Sequence, residues 1–346
     1  MTKLHRWLLA ALPLLAPPAT AAAAAPANPW TFNLYFENDL FDNTDRNYTN
    51  GTRLSWISPD TTSYENDEAF PAWLRAANRK LRLLHNNDPE TEHNLVVSLG
   101  QLMFTPEDTE ASALVPDQRP YAGYLYTGIA YHTRSENRLD VMELDLGIVG
   151  PSALAHQTQD FIHDLRGFEK YNGWDNQLDD EPAVQLLYER KHRLLATTWR
   201  DDCGQDVIAH GGVSLGNIAT HLNFGGEYRI GWNLPDDFGT SAVRAGGDNS
   251  APGRHGNRRQ ARSRGGVHAF IALDTRLVAR DIFLDGNTFK ESHGVDRKPV
   301  VADLAAGVAL RAGRWKVSYA QVFRSREFEG QPHHHEYGSL SLSYSL

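Results

Sequence analysis

From Trp30 to the final Leu346 the chain keeps returning to strict two-residue alternation, yet nowhere past its first residues does it offer the ~18 consecutive apolar residues that a spanning helix needs. Backbone N–H and C=O groups at membrane depth have no water to bond. A chain of this pattern can therefore cross a membrane only by closing its strands into a barrel. The alternation is clearest at the end, where Gly338, Leu340, Leu342, Tyr344 and Leu346 share one face and Ser339, Ser341, Ser343 and Ser345 the other. Met142, Leu144, Leu146 and Ile148 likewise oppose Val141, Glu143, Asp145 and Gly147, and Trp30, Phe32, Leu34 and Phe36 oppose Thr31, Asn33, Tyr35 and Glu37. Carboxylates on the second face suit a wet lumen better than a soluble core.

Such segments fall near residues 30–37, 49–57, 94–103, 121–133, 138–148, 182–195, 206–216, 221–231, 265–275, 299–311, 314–324 and 337–346. They predict an all-β fold: a single transmembrane antiparallel barrel of about 12 strands, an even number as bacterial barrels require. If the first strand runs outward, short turns at Ser135–Asn137 and Ala312–Gly313 are periplasmic, and connections Asn38–Tyr48, Phe104–Pro120 and Gly150–Glu181 lie outside. Two long connections, Ser58–His93 and Trp232–Arg264, then become periplasmic, against the usual trend, and their roles stay open.

Lys3, His5 and Arg6 precede an apolar run from Trp7 to Ala16 and a small-residue tract from Ala19 to Ala27, which reads as a secretory signal peptide over residues 1–25, with the barrel domain over 26–346. The single cysteine, Cys203, excludes an intramolecular disulfide. A net charge of −9 argues against nucleic acid. Basic residues nevertheless cluster, at Arg75, Arg79, Lys80 and Arg82 and again at Arg254, Arg258, Arg259, Arg262 and Arg264.

Three polar constellations fall on the predicted outer side. Glu37 to Gly51 is dense in carboxylates and amides; it either caps a hairpin or offers oxygen donors to Ca²⁺, although it is not an EF-hand loop. Ser152 to Arg166 carries Leu154, Phe161, Ile162 and Leu165 at helical spacing, with Gln159 and His163 four apart on one face. A helical histidine is a packed or surface residue unless an acidic neighbour makes it a general base, and this register sets it beside such a run. Gly173 to Pro182 is either an interfacial aromatic belt or part of the same site.

Read in order, Glu37-Asn38-Asp39, Tyr48-Thr49-Asn50-Gly51, Pro120-Tyr121-Ala122-Gly123, Gly150-Pro151, Gln159 to His163, Gly173-Trp174, Gln177 and Glu181-Pro182 resemble the motifs of the LpxR-type lipid A 3'-O-deacylases over essentially the whole mature chain. The resemblance implies a twelve-stranded outer-membrane barrel with a short active-site helix in an extracellular-side loop. It further implies a calcium requirement and hydrolysis of the 3'-linked acyloxyacyl ester of lipid A in lipopolysaccharide. By the same resemblance Asn38, Asp39, Thr49 and His163 match active-site positions, Gln159 and Gln177 supporting polar groups, and Asp39 and Glu169 the metal-binding carboxylates. The implied mechanism uses His163 to activate water and Ca²⁺ as electrophile. Asp39 then ligates the ion or orients the imidazole, Asn38 donates toward the oxyanion, and Thr49 positions water or substrate. A monomer is expected.

Two other classes compete. A serine-dependent outer-membrane phospholipase would need a His-x-Ser-Asn arrangement, and no histidine here is followed two positions later by Ser-Asn. A non-catalytic barrel or channel needs none of the co-located Asn, Asp, Thr and His.

Overall fold

The computed structural model describes residues 29–39, 47–61, 63–68, 70–80, 91–199, 202–240, 247–248 and 265–346, and of 47–49 only the backbone. The expected leader and the basic run Arg254 to Arg264 lie outside the described residues, as do Arg82 and the acidic run Leu40 to Arg46. Twelve antiparallel strands close into a barrel, each paired with its sequence neighbours and the first with the last. They are β1 (Thr31–Asn38), β2 (Asn47–Ile57), β3 (Glu92–Thr105), β4 (Ala122–Arg134), β5 (Arg138–Val149) and β6 (Glu181–Thr198). β7 (Cys203–Gly216), β8 (Ala219–Trp232), β9 (Gly265–Asp281), β10 (Val300–Ala312), β11 (Trp315–Arg324) and β12 (His335–Ser345) complete it. Each expected segment is a strand. β9 outlasts its expected end at 275: Arg276, which breaks the hydropathy pattern, lines the lumenal cavity while Leu277 remains outside.

Burial follows parity. Asn33, Tyr35, Glu37, Arg53, Ser55, Glu143, Asp145, Ser341 and Ser343 are buried, whereas Leu99, Ile129, Leu144, Leu146, Val184, Leu186, Leu304 and Leu340 are exposed. A polar interior with an apolar exterior is what a lipid-facing wall requires.

The two long connections at the end that holds both termini do different things. From the β8–β9 connection, Phe238 packs among Ile57, Val96, Ala130, Leu139, Val141 and Leu187, while Asp237 meets Arg229 and Lys316. Asp248 bonds Arg53 at 2.6 Å, Tyr35 at 2.7 Å and Ser55 at 2.5 Å, so this connection fills the lumen from below. From the other end, a short helix after β9 (Ile282–Asp285) buries Ile282, Phe283 and Leu284, with Phe283 stacked on Phe104 at 4.0 Å. A cavity of about 290 Å³ remains between them.

Candidate active site

The helix expected over Ser152–Arg166 begins later than its apolar spacing suggests. Pro151–Ala153 forms a single 3-10 turn, pinned where the Ser152 N–H and hydroxyl donate to the Asp180 carboxylate at 2.8 and 2.6 Å, and Leu154 turns left-handed at φ 59°. Only then does the α-helix run, from Ala155 to Arg166. This helix lies on the outside of the wall. On β4, Tyr124 and Tyr126 face the cavity, so Gly123 faces outward; a Cβ on Gly123 would stand 2.5 Å from Ala155 Cβ, and glycine alone allows that approach. On β3 the outward-facing Gln101 donates to the Ala153 carbonyl at 2.7 Å, and Met103 packs with Tyr121, Ala155 and Trp174.

Strand register carries the same row to the acidic motif. Gly123 pairs with Met103, Met103 with Asn50, and Asn50 with Asn38. Asn38 shares the outward parity of Phe32, Leu34 and Phe36, and it is buried, as is Asp39 after it. Tyr48 pairs with Phe104 and Asn50 with Met103, so Thr49 is the extra residue of a β-bulge beside this row. Bulges re-aim side chains at rims and active sites; the Thr49 side chain lies outside the described parts. Asn38, Asp39, Thr49 and the histidine helix thus belong to one rim, the one away from the termini.

On the helix the buried face is Ala155, Gln159 and His163, one turn apart each. Gly167 ends the helix at φ 70°, and the chain folds back so that the Glu169 carbonyl lies 2.6 Å from His163 Nδ1. A carbonyl only accepts, so Nδ1 carries the proton and, in the neutral ring, Nε2 keeps its lone pair. Phe168 and Tyr171 present edges to the ring at 5.8 and 5.0 Å. Glu169 therefore serves the histidine through its backbone, while its side chain is exposed.

Trp174 is buried rather than part of an interfacial belt. Its Nε1 donates to Gln159 Oε1 at 2.7 Å, and its ring stacks on His156 at 5.6 Å and packs on Tyr121 at 4.9 Å. An indole N–H only donates, which fixes the amide's orientation and turns Gln159 Nε2 the other way. That nitrogen is buried with no hydrogen-bond partner among the described residues. Gln177 is half-buried at the end of the 3-10 turn Trp174–Asn176, and its Oε1 is also without a partner there.

Contacts between connections stiffen this rim. Arg119 bonds Glu327 at 3.1 Å, Gln118 O lies 2.7 Å from His293 Nε2, and Asn287 bonds both Asp179 and Glu181. Burial raises the Glu327 pKa, but the Arg119 and Arg324 guanidinium groups outweigh it and hold the carboxyl at about 2. As metal donors, the rim offers a buried Asp39 carboxylate, the Glu169 carboxylate, and amide and backbone oxygens. Among the described residues no three His, Cys, Asp or Glu side chains converge. An oxygen-only set of this kind fits a hard cation such as Ca²⁺ and not a thiolate- or imidazole-seeking one.

Sequence reasoning missed the return of Glu169 O to His163, the wall of Phe168 and Tyr171, and the connection inside the lumen. For the first, Gly167 directly after Arg166 was the available signal, a helix stop with a left-handed cap. The chain matches the family model described as outer membrane protein LpxR over residues 8–346. Among solved structures it is similar to LpxR from Salmonella typhimurium, with TM-score 0.70 and 15% identity over 91% of this chain and 100% of that one. The β domain of the Bordetella autotransporter BrkA aligns at TM-score 0.39 and 10% identity, covering 93% and 99% of the two chains. No curated protein matches by sequence.

Proposed function

Since the chain belongs to the LpxR family of outer-membrane proteins, we propose that it is a carboxylic ester hydrolase that removes the 3'-linked acyloxyacyl chain from lipid A of lipopolysaccharide. The observation that carries this reading is His163, buried on a helix against the lipid-facing wall, with Nδ1 bonded to the Glu169 carbonyl so that the basic lone pair of the neutral ring is on Nε2. In this mechanism Nε2 takes a proton from water as its oxygen attacks the ester carbonyl, and returns it to the leaving sugar oxygen. Asn38 and the Gln159 amide donate toward the developing oxyanion, Thr49 positions water or substrate, and Gln177 supports the site. Asp39 and Glu169 would hold Ca²⁺, with Asp39 alternatively orienting the imidazole. When bound, the ion supplies positive charge opposite that oxyanion.

Dimensions agree with this assignment. Ala155 to His163 is eight residues, ~12 Å along a helix axis. Gly123 to Asn38 is three strand spacings, ~14 Å. A helix crossing the wall from β4 toward β1 would bring the imidazole to the Asn38–Asp39 edge. A site outside the barrel also meets its substrate without extracting it, because the acyl esters of a membrane lipid lie at this interface. A channel has less support, since connections enter the lumen from both ends. The protein is proposed to act as a monomer.

The test is mass spectrometry of lipid A from cells with and without the expressed chain. Loss of one acyloxyacyl mass is expected, dependent on Ca²⁺ and abolished reversibly by chelation with the barrel still folded. An unchanged lipid A mass would refute the reading.

A further inference from the structure

The connection between β2 and β3 does not hang in water below the barrel. Its Tyr64, Phe70 and Leu74 pack against Leu95, Tyr131 and Met142, which carry the outward parity of β3, β4 and β5. Polar contacts hold it there. The Tyr64 hydroxyl donates to the His132 carbonyl at 2.6 Å, the Tyr131 hydroxyl donates to Asn78 Oδ1 at 2.7 Å, and Asn78 Nδ2 donates to the Tyr64 carbonyl at 2.9 Å. The connection thus wraps the lipid-facing wall, near the end that holds both termini.

That end is marked by tryptophans. Trp30 before β1, Trp56 on β2, Trp199 after β6, Trp232 on β8 and Trp315 on β11 all lie at it, each between 41 and 48% exposed. Such a girdle marks the level of the lipid headgroups. It has a gap, because the near ends of β3, β4 and β5 carry no tryptophan. Over this sector lies the short helix Ala72–Asn78, whose buried face is Leu74 and Asn78 and whose Trp73 is 69% exposed. Arg75, Arg79 and Lys80 accompany it, and none of them forms an ion pair among the described residues; Arg79 reaches only the Glu65 carbonyl, at 3.4 Å.

We propose that this helix is a membrane-interface collar: Trp73 fills the gap in the tryptophan girdle, and Arg75, Arg79 and Lys80 bind anionic phospholipid headgroups of the periplasmic leaflet. An indole sits at the headgroup level with its ring in the apolar layer and its N–H in the wet one, and basic side chains near an anionic surface add attraction. Continuity with the girdle favours lipid over a protein partner. The collar follows from the barrel's place in the outer membrane and is independent of the hydrolase reading.

The test places an environment-sensitive fluorophore on Trp73→Cys, in a Cys203→Ala background, in the full mature chain folded into phosphatidylcholine vesicles. A label on Leu114→Cys, exposed in the connection at the opposite rim, is the comparison. Lipids brominated near the headgroup should quench the label at 73 several-fold more than the label at 114. Adding phosphatidylglycerol should strengthen the difference, and Arg79→Glu with Lys80→Glu should remove that added part. Ala76→Cys repeats the measurement if the tryptophan substitution prevents folding. Equal quenching at the two sites would overturn the collar and leave Trp73 and its basic neighbours as a water-facing contact for a periplasmic protein. Quenching insensitive to phosphatidylglycerol would overturn the headgroup assignment.

Discussion

Two excursions from the barrel wall, one laid on its outside and one threaded through its inside, treat their polar groups in opposite ways. Inside, every carboxylate of the β8–β9 connection that enters the lumen faces a cation: Asp236 meets Arg134 and Arg193, Asp237 meets Arg229 and Lys316, and Asp248 meets Arg53. Outside, the histidine helix buries the amide nitrogen of Gln159 with no partner among the described residues, and a backbone carbonyl holds the Nδ1 of His163. Buried polar groups are ordinarily matched, so a matched cluster reads as architecture and an unmatched one as a place prepared for something absent. The two regions should therefore fail differently when altered, one in stability and the other in turnover.

The largest effect should come from the outer region. Replacing His163 by Ala removes the proposed base, for which the typical contribution is ~10²- to 10⁴-fold in rate. Acyl release from lipid A by purified protein should fall by that order while the heat resistance of the folded barrel stays at the wild-type level. Near wild-type turnover in the variant would return His163 to the role of a packed helix residue.

The inner region supplies the converse. Burial raises the Asp237 pKa, but Lys316 and Arg229 outweigh it and hold the carboxylate well below its usual range. Arg229→Ala leaves that carboxylate and Asp206 buried with less compensation, a loss typically of ~3–5 kcal/mol. Denaturant titration followed by gel mobility should show it, with turnover per folded molecule unchanged. A variant that unfolds like wild type, or that folds normally and loses activity, would erase the contrast between the regions.

How much of this was legible in the sequence follows the same division. The wall was readable residue by residue, because a strand with lipid on one side and water on the other must alternate, and Leu340-Ser341-Leu342-Ser343 has no other use for that order. The histidine helix was readable from Phe161, Ile162 and Leu165, although its start was not: Leu154 fits the apolar spacing but adopts the left-handed turn that separates the 3-10 turn from the helix. Placement of Trp174 was ambiguous, since an aromatic at a strand mouth suits either a belt or a clamp, and the choice lies in the long-range contact with Gln159. The lumenal connection carried no local signal at all. Asp237 and Asp248 look like any loop acids; the turn of the chain back into the lumen sets Asp237 against Arg229 on the strand just before it, and only the closed barrel brings Arg53 to Asp248.

A pH experiment sharpens the comparison at the rim. Glu327, held at about 2 from an ordinary value of 4.5, contributes stability that is present above 4.5 and lost as pH falls through 2. Glu327→Gln keeps the shape and removes the charge opposite Arg119 and Arg324, so at neutral pH it should destabilise the rim by roughly 1.5–3 kcal/mol, the range for hydrogen bonds to charged groups. The gap between wild type and variant should hold from neutrality to about 4.5 and then shrink toward 2. A gap that closes already near neutrality would show that the carboxyl is not held by these cations.

The smallest expected effect isolates one hydrogen bond. Trp174→Phe keeps most of the ring that stacks on His156 and packs on Tyr121 but removes the N–H that holds Gln159 Oε1. Without that donor the amide is free to turn, and its NH₂ is no longer directed to one side. A typical net hydrogen bond is worth about 0.5–1.5 kcal/mol, so if Gln159 Nε2 contributes in the transition state, kcat should drop by about 2- to 10-fold. The change should fall on kcat with KM little altered, because an interaction made only in the transition state does not hold the ground state. Gln159→Glu supplies the cross-check: it keeps the acceptor for Trp174 and replaces the donor, so it should lower kcat at least as far while leaving the helix seated. Loss of heat resistance in Trp174→Phe at unchanged kcat would instead make the bond a clamp on the helix, and Gln159 would join the matched, architectural side of the molecule.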